Sequence, residues 1–271
     1  MENDAFRNWF DQYVGGFTAG GDAAPDVVKN IRLKKGHSER VIQEILWIAK
    51  QLGLDGTARH LAAVMALFHD IGRFEQYARY RTFVDSKSEN HAELGVKILQ
   101  QHQVLDSLPT DRADLICRVI SYHNRAILPE DETKECLVYT RLLRDADKLD
   151  IWRVLIDHYQ HGNHDDNPAI SLGLPDTSGI SDRVYENVVN AKIVEARHVK
   201  NLNDFKLLQI GWVFDINFTP ALQQVRDRGY VESICRTLPR SDRLTRIEQA
   251  LAAWFDKKIG TNQPPYIARS H

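Results

Sequence analysis

The chain has 271 residues, 43% of them hydrophobic, and a formal net charge of −2. The length allows one large domain or a domain with an extension, and the hydrophobic fraction is sufficient for a buried core. The small net charge excludes bulk electrostatic attraction to nucleic acid or to an anionic membrane, so an anionic ligand would need a local site. The three cysteines are widely spaced without a Cys-x-x-Cys pair, which argues against a disulfide framework and a cysteine metal site.

The N-terminal sequence MENDAFRNWF is acidic and has no apolar stretch of the kind found in signal peptides. No uninterrupted apolar run approaches the length of a membrane span. We therefore expect a cytoplasmic protein without a membrane partner.

Apolar residues recur at three- and four-residue steps along most of the chain, and no alternating strand pattern competes with them, which predicts an all-α fold. Pro25 is expected near a helix N-terminus, Gly72 to end a helix, and Ser88 to cap the next one, with a polar loop at 79–88. The predicted helices, in chain order, are 2–14, 38–52, 57–70, 89–103, 110–124, 134–160, 182–197, 200–215, 219–237 and 241–258.

Turn-forming residues mark the clearest break in the chain at 161–182. This break predicts a core domain over 1–160, followed by a helical extension over 161–271 that packs on the same core. The polar residues around the break are interpreted as a solvated loop rather than as a second site. They are His158, His161, His164, Asp165 and Asp166.

Six residues of the predicted core carry imidazole or carboxylate groups and are candidate metal ligands: His37, His69, Asp70, His91, His123 and Asp147. Each has an ordinary alternative when it is taken alone, such as a capping, exposed or hydrogen-bonded core histidine. Together they supply four imidazoles and two carboxylates, enough for two divalent ions, and a metal pair can ionise a water and clamp a phosphate.

The local contexts of these residues favour the metal interpretation. Asp70 is expected at a helix C-terminus, where the helix dipole disfavours a carboxylate and a cation would compensate. His123 shares the apolar face of its helix. Asp147 lies on an apolar face, but Asp145 and Asp150 are on the same helix, and spacing does not choose among the three. A salt bridge of Asp147 with Arg144 or Lys148 is the alternative.

Five segments, in this order, are similar to the HD-domain superfamily of metal-dependent phosphohydrolases: GHSERV, LFHDIGR, NHAELG, SYHNR and DADKL. The similarity covers about residues 30–155. It implies a bundle of about five helices with the site at its centre, and it implies that Asp147, rather than Asp145, is the ligand.

The resemblance also implies how the ligands divide between two ions. Members with one metal use residues that match His37, His69, Asp70 and Asp147, whereas the additional histidines, His91 and His123, match two-metal members. Asp70 would bridge the ions. The donor types suit one or two Fe, Mn, Zn, Ni or Co ions better than Mg. The GYP motif of the cyclic-dinucleotide phosphodiesterases is absent after Asp147, which disfavours that substrate.

Three cations are candidates for contacts with a phosphate. Arg73 follows Asp70 by three residues and could grip a phosphate bidentately, with a surface ion pair to Glu75 or another acid as the alternative. Arg125 is a second candidate for binding substrate. Lys148 could orient a leaving oxygen or could instead pair with Asp145.

Lys34 and Lys35 are interpreted as no more than a solvated basic turn. The expected catalytic residues are Asp70, Arg73 and Lys148.

The sequence thus predicts a phosphohydrolase that cleaves a small phosphomonoester or phosphodiester, with nucleotides among the candidates. A mixed-valent di-iron oxygenase of the same fold and a non-catalytic binding module are the alternatives. The expected partner is a small phosphorylated substrate, without bulk nucleic-acid binding, and a homodimer is left open.

Overall fold

The structure, a computed structural model, describes residues 2–19, 23–161 and 173–260. Every regular element in these ranges is a helix, which confirms the predicted all-α class. In the described ranges, no helix combines the length and the apolar character that crossing a membrane requires. The α-helices, in chain order, are α1 (Glu2–Gly16), α2 (Pro25–Gln51), α3 (Gly56–Phe68), α4 (Ile71–Tyr80), α5 (His91–Gln101), α6 (Thr110–Tyr122), α7 (Lys134–His161), α8 (Asp182–Val189), α9 (Leu202–Gly211), α10 (Thr219–Asp227), α11 (Tyr230–Cys235) and α12 (Asp242–Gly260).

The chain divides into two compact units, Met1–Asp147 and Lys148–His271. The boundary between them falls within α7, and the predicted division at residue 160 stays a prediction. His158 lies on α7. The other members of the polar cluster lie at or beyond the end of the described helix: nothing is described of the His161 side chain, and His164, Asp165 and Asp166 are outside the described residues.

In the first unit, α2 packs against α3 and α4, α3 also packs against α1 and α6, and α5 packs against α4 and α6. Fully buried apolar side chains, among them Ile45, Phe68 and Ile116, fill the space between these helices. The rings of Phe6 and Phe10 on α1 lie 5.9 and 6.4 Å from the ring of Phe68. This packing fixes the helix ends that carry the polar cluster described below.

Helix α2 begins at Pro25, as expected for a proline near a helix N-terminus, but it continues without interruption through Gly36. A glycine inside a helix costs about 1 kcal/mol relative to alanine. Burial of Val27 and Ile31 extends the apolar stripe of the helix and offsets that cost. The predicted start at residue 38 was therefore wrong, and His37 lies in the interior of a helix.

The junction of α3 and α4 lies at His69-Asp70 rather than at Gly72. The backbone of Asp70, with φ −105° and ψ 15°, is not helical, and this residue directly precedes α4. Asp70 thus lies directly after the C-cap of α3, as the sequence predicts, and is also the N-cap of α4, where the helix dipole favours a carboxylate. Gly72 has a packing role instead, because a Cβ at this position would overlap the carbonyl oxygen of His91.

The region before α5 also differs from its prediction. The predicted polar loop at 79–88 begins only after Tyr80, where α4 ends, and contains a short 3₁₀ helix, Asp85–Lys87. Asn90, not Ser88, caps α5, because its side-chain oxygen accepts hydrogen bonds from the backbone amides of Ala92 and Glu93.

The second unit is built from short helices. Helix α8 packs against α9 and α12, and α10 packs against α11 and α12. Trp152 is fully buried, and its indole nitrogen donates to the carbonyl of Gln209 at 3.0 Å. The predicted helix 219–237 is divided in two at Gly229, whose φ of 61° is in the left-handed region that glycine adopts readily.

Candidate metal centre

The six candidate ligands all lie in the first unit, at helix ends or on helix faces that converge. His37 is inside α2, His69 and Asp70 form the α3–α4 junction, and Asp147 is on α7. His91 is the first residue of α5, and His123 directly follows α6. The four histidines and Asp70 are 0 to 6% exposed, and the side chain of Asp147 is 18% exposed. Burial of this many polar groups requires that they find partners.

Four of these side chains form one group, which we call site A: His37, His69, Asp70 and Asp147. The Nε2 atom of His37 lies 3.0 Å from Oδ1 of Asp147 and 3.5 Å from Oδ2 of Asp70. It also lies 3.3 Å from Nε2 of His69. The ligand atoms of site A therefore surround a common point.

A second group, site B, consists of Asp70, His91 and His123. The Nε2 atoms of the two histidines lie 3.1 Å apart. They lie 3.4 and 3.9 Å from Oδ1 of Asp70, respectively. Asp70 thus turns one carboxylate oxygen toward each group. Each site holds at least three side chains whose ligand atoms are close enough to share one ion.

The hydrogen bonds of three imidazoles determine which nitrogen atom faces the cluster. The Nδ1 atom of His69 donates to the carbonyl of Ala66 at 2.8 Å, and that of His123 donates to the carbonyl of Ile120 at 2.7 Å. The Nδ1 atom of His91 donates to Oδ2 of Asp85 at 2.7 Å. A neutral imidazole that donates through Nδ1 presents a lone pair on Nε2.

The Nε2 lone pairs of His91 and His123 face one another and Oδ1 of Asp70, so the groups that meet at site B are acceptors. Such an arrangement fits a cation. Neutral imidazole and carboxylate donors suit Fe, Mn, Zn, Ni or Co. Site A and site B could therefore hold one divalent ion each, with Asp70 shared between them.

The protonation states agree with this interpretation. Burial, together with the neighbouring His91 and His69, lowers the pKa of His123 from 6.5 to about 3. Burial and Arg73 also lower the pKa of His91. Both imidazoles are consequently neutral at neutral pH, the form that binds metal.

The two carboxylates are ionised. Burial by itself would raise the pKa of Asp70, but Lys34, His69 and Arg73 together outweigh it and hold this pKa well below 3.8. Burial likewise opposes ionisation of Asp147, and its hydrogen bonds with His37 and His69 reverse that effect on its pKa.

Two cations lie beside the shared carboxylate. The Nζ atom of Lys34 is 2.7 Å from Oδ2 of Asp70, and its side chain is only 18% exposed. The solvated turn predicted for this lysine was therefore wrong. The Nε atom of Arg73 lies 3.6 Å from Oδ1 of Asp70. The Nη1 atom of Arg73 forms an ion pair with Oδ1 of Asp85 at 2.8 Å. Glu75, the acid named in the sequence analysis, pairs with Arg79 instead.

The other two predicted cations lie elsewhere. The guanidinium of Arg125 is exposed and lies 4.7 Å from the ring centroid of Tyr122. The ammonium of Lys148 is 2.8 Å from Oδ2 of Asp215, within the second unit, rather than paired with Asp145. Substrate binding by Arg125 and catalysis by Lys148 stay predictions.

The structure distinguishes Asp147 from its neighbours on α7. Asp147 contacts the imidazoles of His37 and His69, and Asp145 and Asp150 are buried on the same helix. The guanidinium of Arg144, an alternative partner of Asp147, donates to the carbonyl oxygen of Arg125.

Three residues around the centre were missed in the sequence: Lys34, Gln76 and Asp85. Lys34 precedes His37 by three residues, so the extension of α2 to Pro25 would have placed both on one face. Gln76 and Asp85 carry no comparable signal, because a loop brings Asp85 to Gln76 on α4 and to His91.

No curated protein and no solved structure matches the chain significantly. The family model of the HD domain matches residues 35–152, a segment that contains all six candidate ligands. This match agrees with the similarity found in the short motifs and with the helical fold. Residues 35–152 thus match the HD domain, and members of the HD-domain superfamily are typically metal-dependent hydrolases.

Proposed function

We propose that this protein is a metal-dependent phosphohydrolase that cleaves a small phosphomonoester or phosphodiester, with nucleotides among the candidate substrates. The observation that supports it most is the position of Asp70. One oxygen of this carboxylate faces site A and the other faces site B, while Lys34 and Arg73 lie beside it. When bound, a pair of divalent ions supplies a water of lowered pKa and neutralises phosphate charge.

The charges of the chain favour an anionic substrate. Three carboxylates, those of Asp70, Asp147 and Asp85, face the ammonium of Lys34 and the guanidinium of Arg73, while the imidazoles of His91 and His123 are neutral. Two divalent ions would therefore more than offset the single excess negative charge and leave the centre with about three positive charges. A phosphate group can compensate this excess positive charge, whereas a neutral substrate cannot.

Lys34 and Arg73 have different roles in this proposal. The Lys34 ammonium has three donors and lies on the Oδ2 side of Asp70, where it can donate to a phosphate oxygen. Arg73 is fastened through Nη1 to Asp85 and Gln76. Its Nε hydrogen is buried without a hydrogen-bond acceptor among the described residues, so Nε remains available to a substrate oxygen.

Cys117, Cys136 and Cys235 are free thiols, as expected in a reducing compartment. We therefore propose that the reaction takes place in the cytoplasm.

The test is hydrolysis by the purified chain after loading with Mn, Fe, Co, Ni or Zn, against a panel of phosphomonoesters, phosphodiesters and nucleotides. We expect metal-dependent release of phosphate or alcohol that a chelator abolishes. Asp70→Ala should lower turnover by about 100- to 1,000-fold or more, because it removes the shared ligand that would hold the ions that stabilise the transition-state charge. It should also lower the metal content while the helical circular dichroism is retained.

Asp106→Ala, at an exposed carboxylate of the same unit, is the matched control and should behave as the wild type. Wild-type turnover of every hydrolysed phosphoester by Asp70→Ala would overturn the proposal. Oxygen consumption by the iron-loaded protein, without hydrolysis of any phosphoester, would support the oxygenase alternative instead. Ligand binding without either reaction would support the non-catalytic module.

A further inference from the structure

The imidazoles of the centre are oriented by two different kinds of acceptor. His69 and His123 each donate from Nδ1 to a backbone carbonyl three residues earlier, at Ala66 and Ile120. Both histidines directly follow a helix, where the last carbonyls have no partner within the helix. The acceptor of each Nδ1 atom is therefore part of the backbone of the helix that precedes the histidine.

His91 has no such carbonyl, because it is the first residue of α5 and no turn of that helix precedes it. Its Nδ1 atom donates instead to a side chain, the carboxylate of Asp85, at 2.7 Å to Oδ2 and 3.0 Å to Oδ1. Asp85 lies in the short 3₁₀ helix before α5. One side chain thus supplies what a helix backbone supplies to the other two imidazoles.

The carboxylate of Asp85 is itself held in place from several sides. It accepts hydrogen bonds from Nη1 of Arg73 at 2.8 Å, from Nε2 of Gln76 at 2.9 Å and from Nδ2 of Asn124 at 3.2 Å. Gln76 is fully buried. These donors come from α4 and from the residue after His123, so Asp85 is fixed relative to the elements that form site B.

From this asymmetry we infer that Asp85 is a positioning residue that directs Nε2 of His91 toward Asp70 and thereby sets the affinity of site B, but not of site A, for a divalent ion. The inference rests on the proposed metal-dependent function. Partners that orient a ligating histidine typically change metal affinity by about 10- to 100-fold. The one metal ligand among the hydrogen-bond partners described above for Asp85 is His91 of site B. In site A, replacement of Asp85 leaves the backbone acceptor of His69 in place.

The test measures binding of Mn²⁺ to the full chain by equilibrium dialysis with metal analysis, together with electron paramagnetic resonance. We expect two ions in the wild type, with a spin-coupled signal. Asp85→Ala should weaken the second ion by about 10- to 100-fold, leave the first within about 2-fold, and convert the spectrum to that of isolated Mn²⁺. Asp85→Asn should be intermediate, because the amide oxygen still accepts from Nδ1 but carries no charge.

Ser88→Ala is the control for the integrity of the loop. The Ser88 hydroxyl donates to the carbonyl of Val84 and accepts from Gln76, close to Asp85 in the chain. This variant should bind both ions as the wild type does.

The outcomes separate the inference from the function on which it rests. Two ions bound by Asp85→Ala with wild-type affinities would overturn the positioning role and leave the proposed function intact. Equal weakening of both ions would overturn it too, since it would indicate a general structural role. A wild-type chain that binds one ion would overturn the inference alone, and one that binds none would overturn the inference and the metal-dependent function together.

Discussion

Lys34 lies with its ammonium 2.7 Å from the carboxylate of Asp70, although Lys34 is on α2 and Asp70 is at the junction of α3 and α4. Lys34 is one turn before His37 on α2, so a single helix face carries both a ligand of site A and a cation. The side chain that balances the charge of the shared carboxylate is thus on the same rigid element as a ligand.

Replacement of Lys34 by alanine should separate substrate binding from metal binding. A hydrogen bond to a charged group contributes about 1.5–3 kcal/mol, so kcat/KM for a phosphoester should fall by about 10- to 100-fold. Affinity for the metal should be retained or increase, because a competing cation is removed from Asp70. Steady-state kinetics and metal titration measure the two effects.

Lys35→Ala is the matched control, because Lys35 pairs with Asp11 at 2.7 Å, away from the centre. A fall of metal affinity in Lys34→Ala parallel to the fall in activity would contradict the separate role of the lysine.

Substitutions on α7 test which aspartate belongs to site A. Asp147→Asn should weaken binding of the first ion, because it removes a charged donor that contacts His37 and His69. Asp145→Asn should leave metal affinity unchanged and lower the free energy of unfolding, because Asp145 is fully buried. Metal titration and urea denaturation of the two variants check this, and the reverse pattern would reassign the ligand.

Gly72 should tolerate no larger side chain. A Cβ at Gly72 would overlap the backbone of His91, whereas a Cβ at Gly56 would meet nothing within 4 Å. Gly72→Ala should therefore lower the free energy of unfolding by about 1–3 kcal/mol, and Gly56→Ala should be neutral or slightly stabilising. Urea denaturation measures both. Equal stability of the two variants would show that α4 and α5 can separate at no cost.

The metal-free protein should lose stability as the pH falls below 6.5. The pKa of His123 is lowered from 6.5 to about 3 in the folded protein, so between these values the unfolded chain binds more protons than the native one. Stability then decreases with falling pH, by about 1.4 kcal/mol per pH unit for one such histidine. Urea denaturation at pH 7, 6 and 5 in the presence of a chelator measures the slope.

His123→Gln should reduce that slope, since the glutamine cannot take up a proton. Identical slopes for the wild type and His123→Gln would show that the burial of this imidazole has no effect on the pH dependence.

The all-α class and the convergence of the six candidate ligands could be predicted, because short segments of the sequence contain the patterns that indicate them. Each segment around His37, His69, His91 and His123 has an apolar helical period, and helices of this kind pack their apolar faces together. The histidine on such a face, or at the end of it, is carried toward the centre. The spacing did not single out Asp147, because three aspartates share its helix; only the family resemblance selected it.

The differences between prediction and structure have physical causes that a short sequence window does not contain. The sequence predicts that Gly36 precedes a helix, but the burial of Ile31 in the folded protein outweighs the low helix propensity of the glycine. The sequence predicts that Gly72 ends a helix, whereas the structure requires a glycine there because of the close approach of His91. Asp85 gave no signal at all, since its role exists only once a loop has placed it against the imidazole of His91.

The crowding of imidazole lone pairs around Asp70 also affects the stability of the protein when no metal is bound. Chains made while transition metals are scarce would carry mutually repelling acceptors in their interior and would have a smaller margin against unfolding. Ion binding adds to the stability of the native state by mass action. The abundance of correctly folded protein would then rise and fall with the supply of trace metal, even where its synthesis is constant.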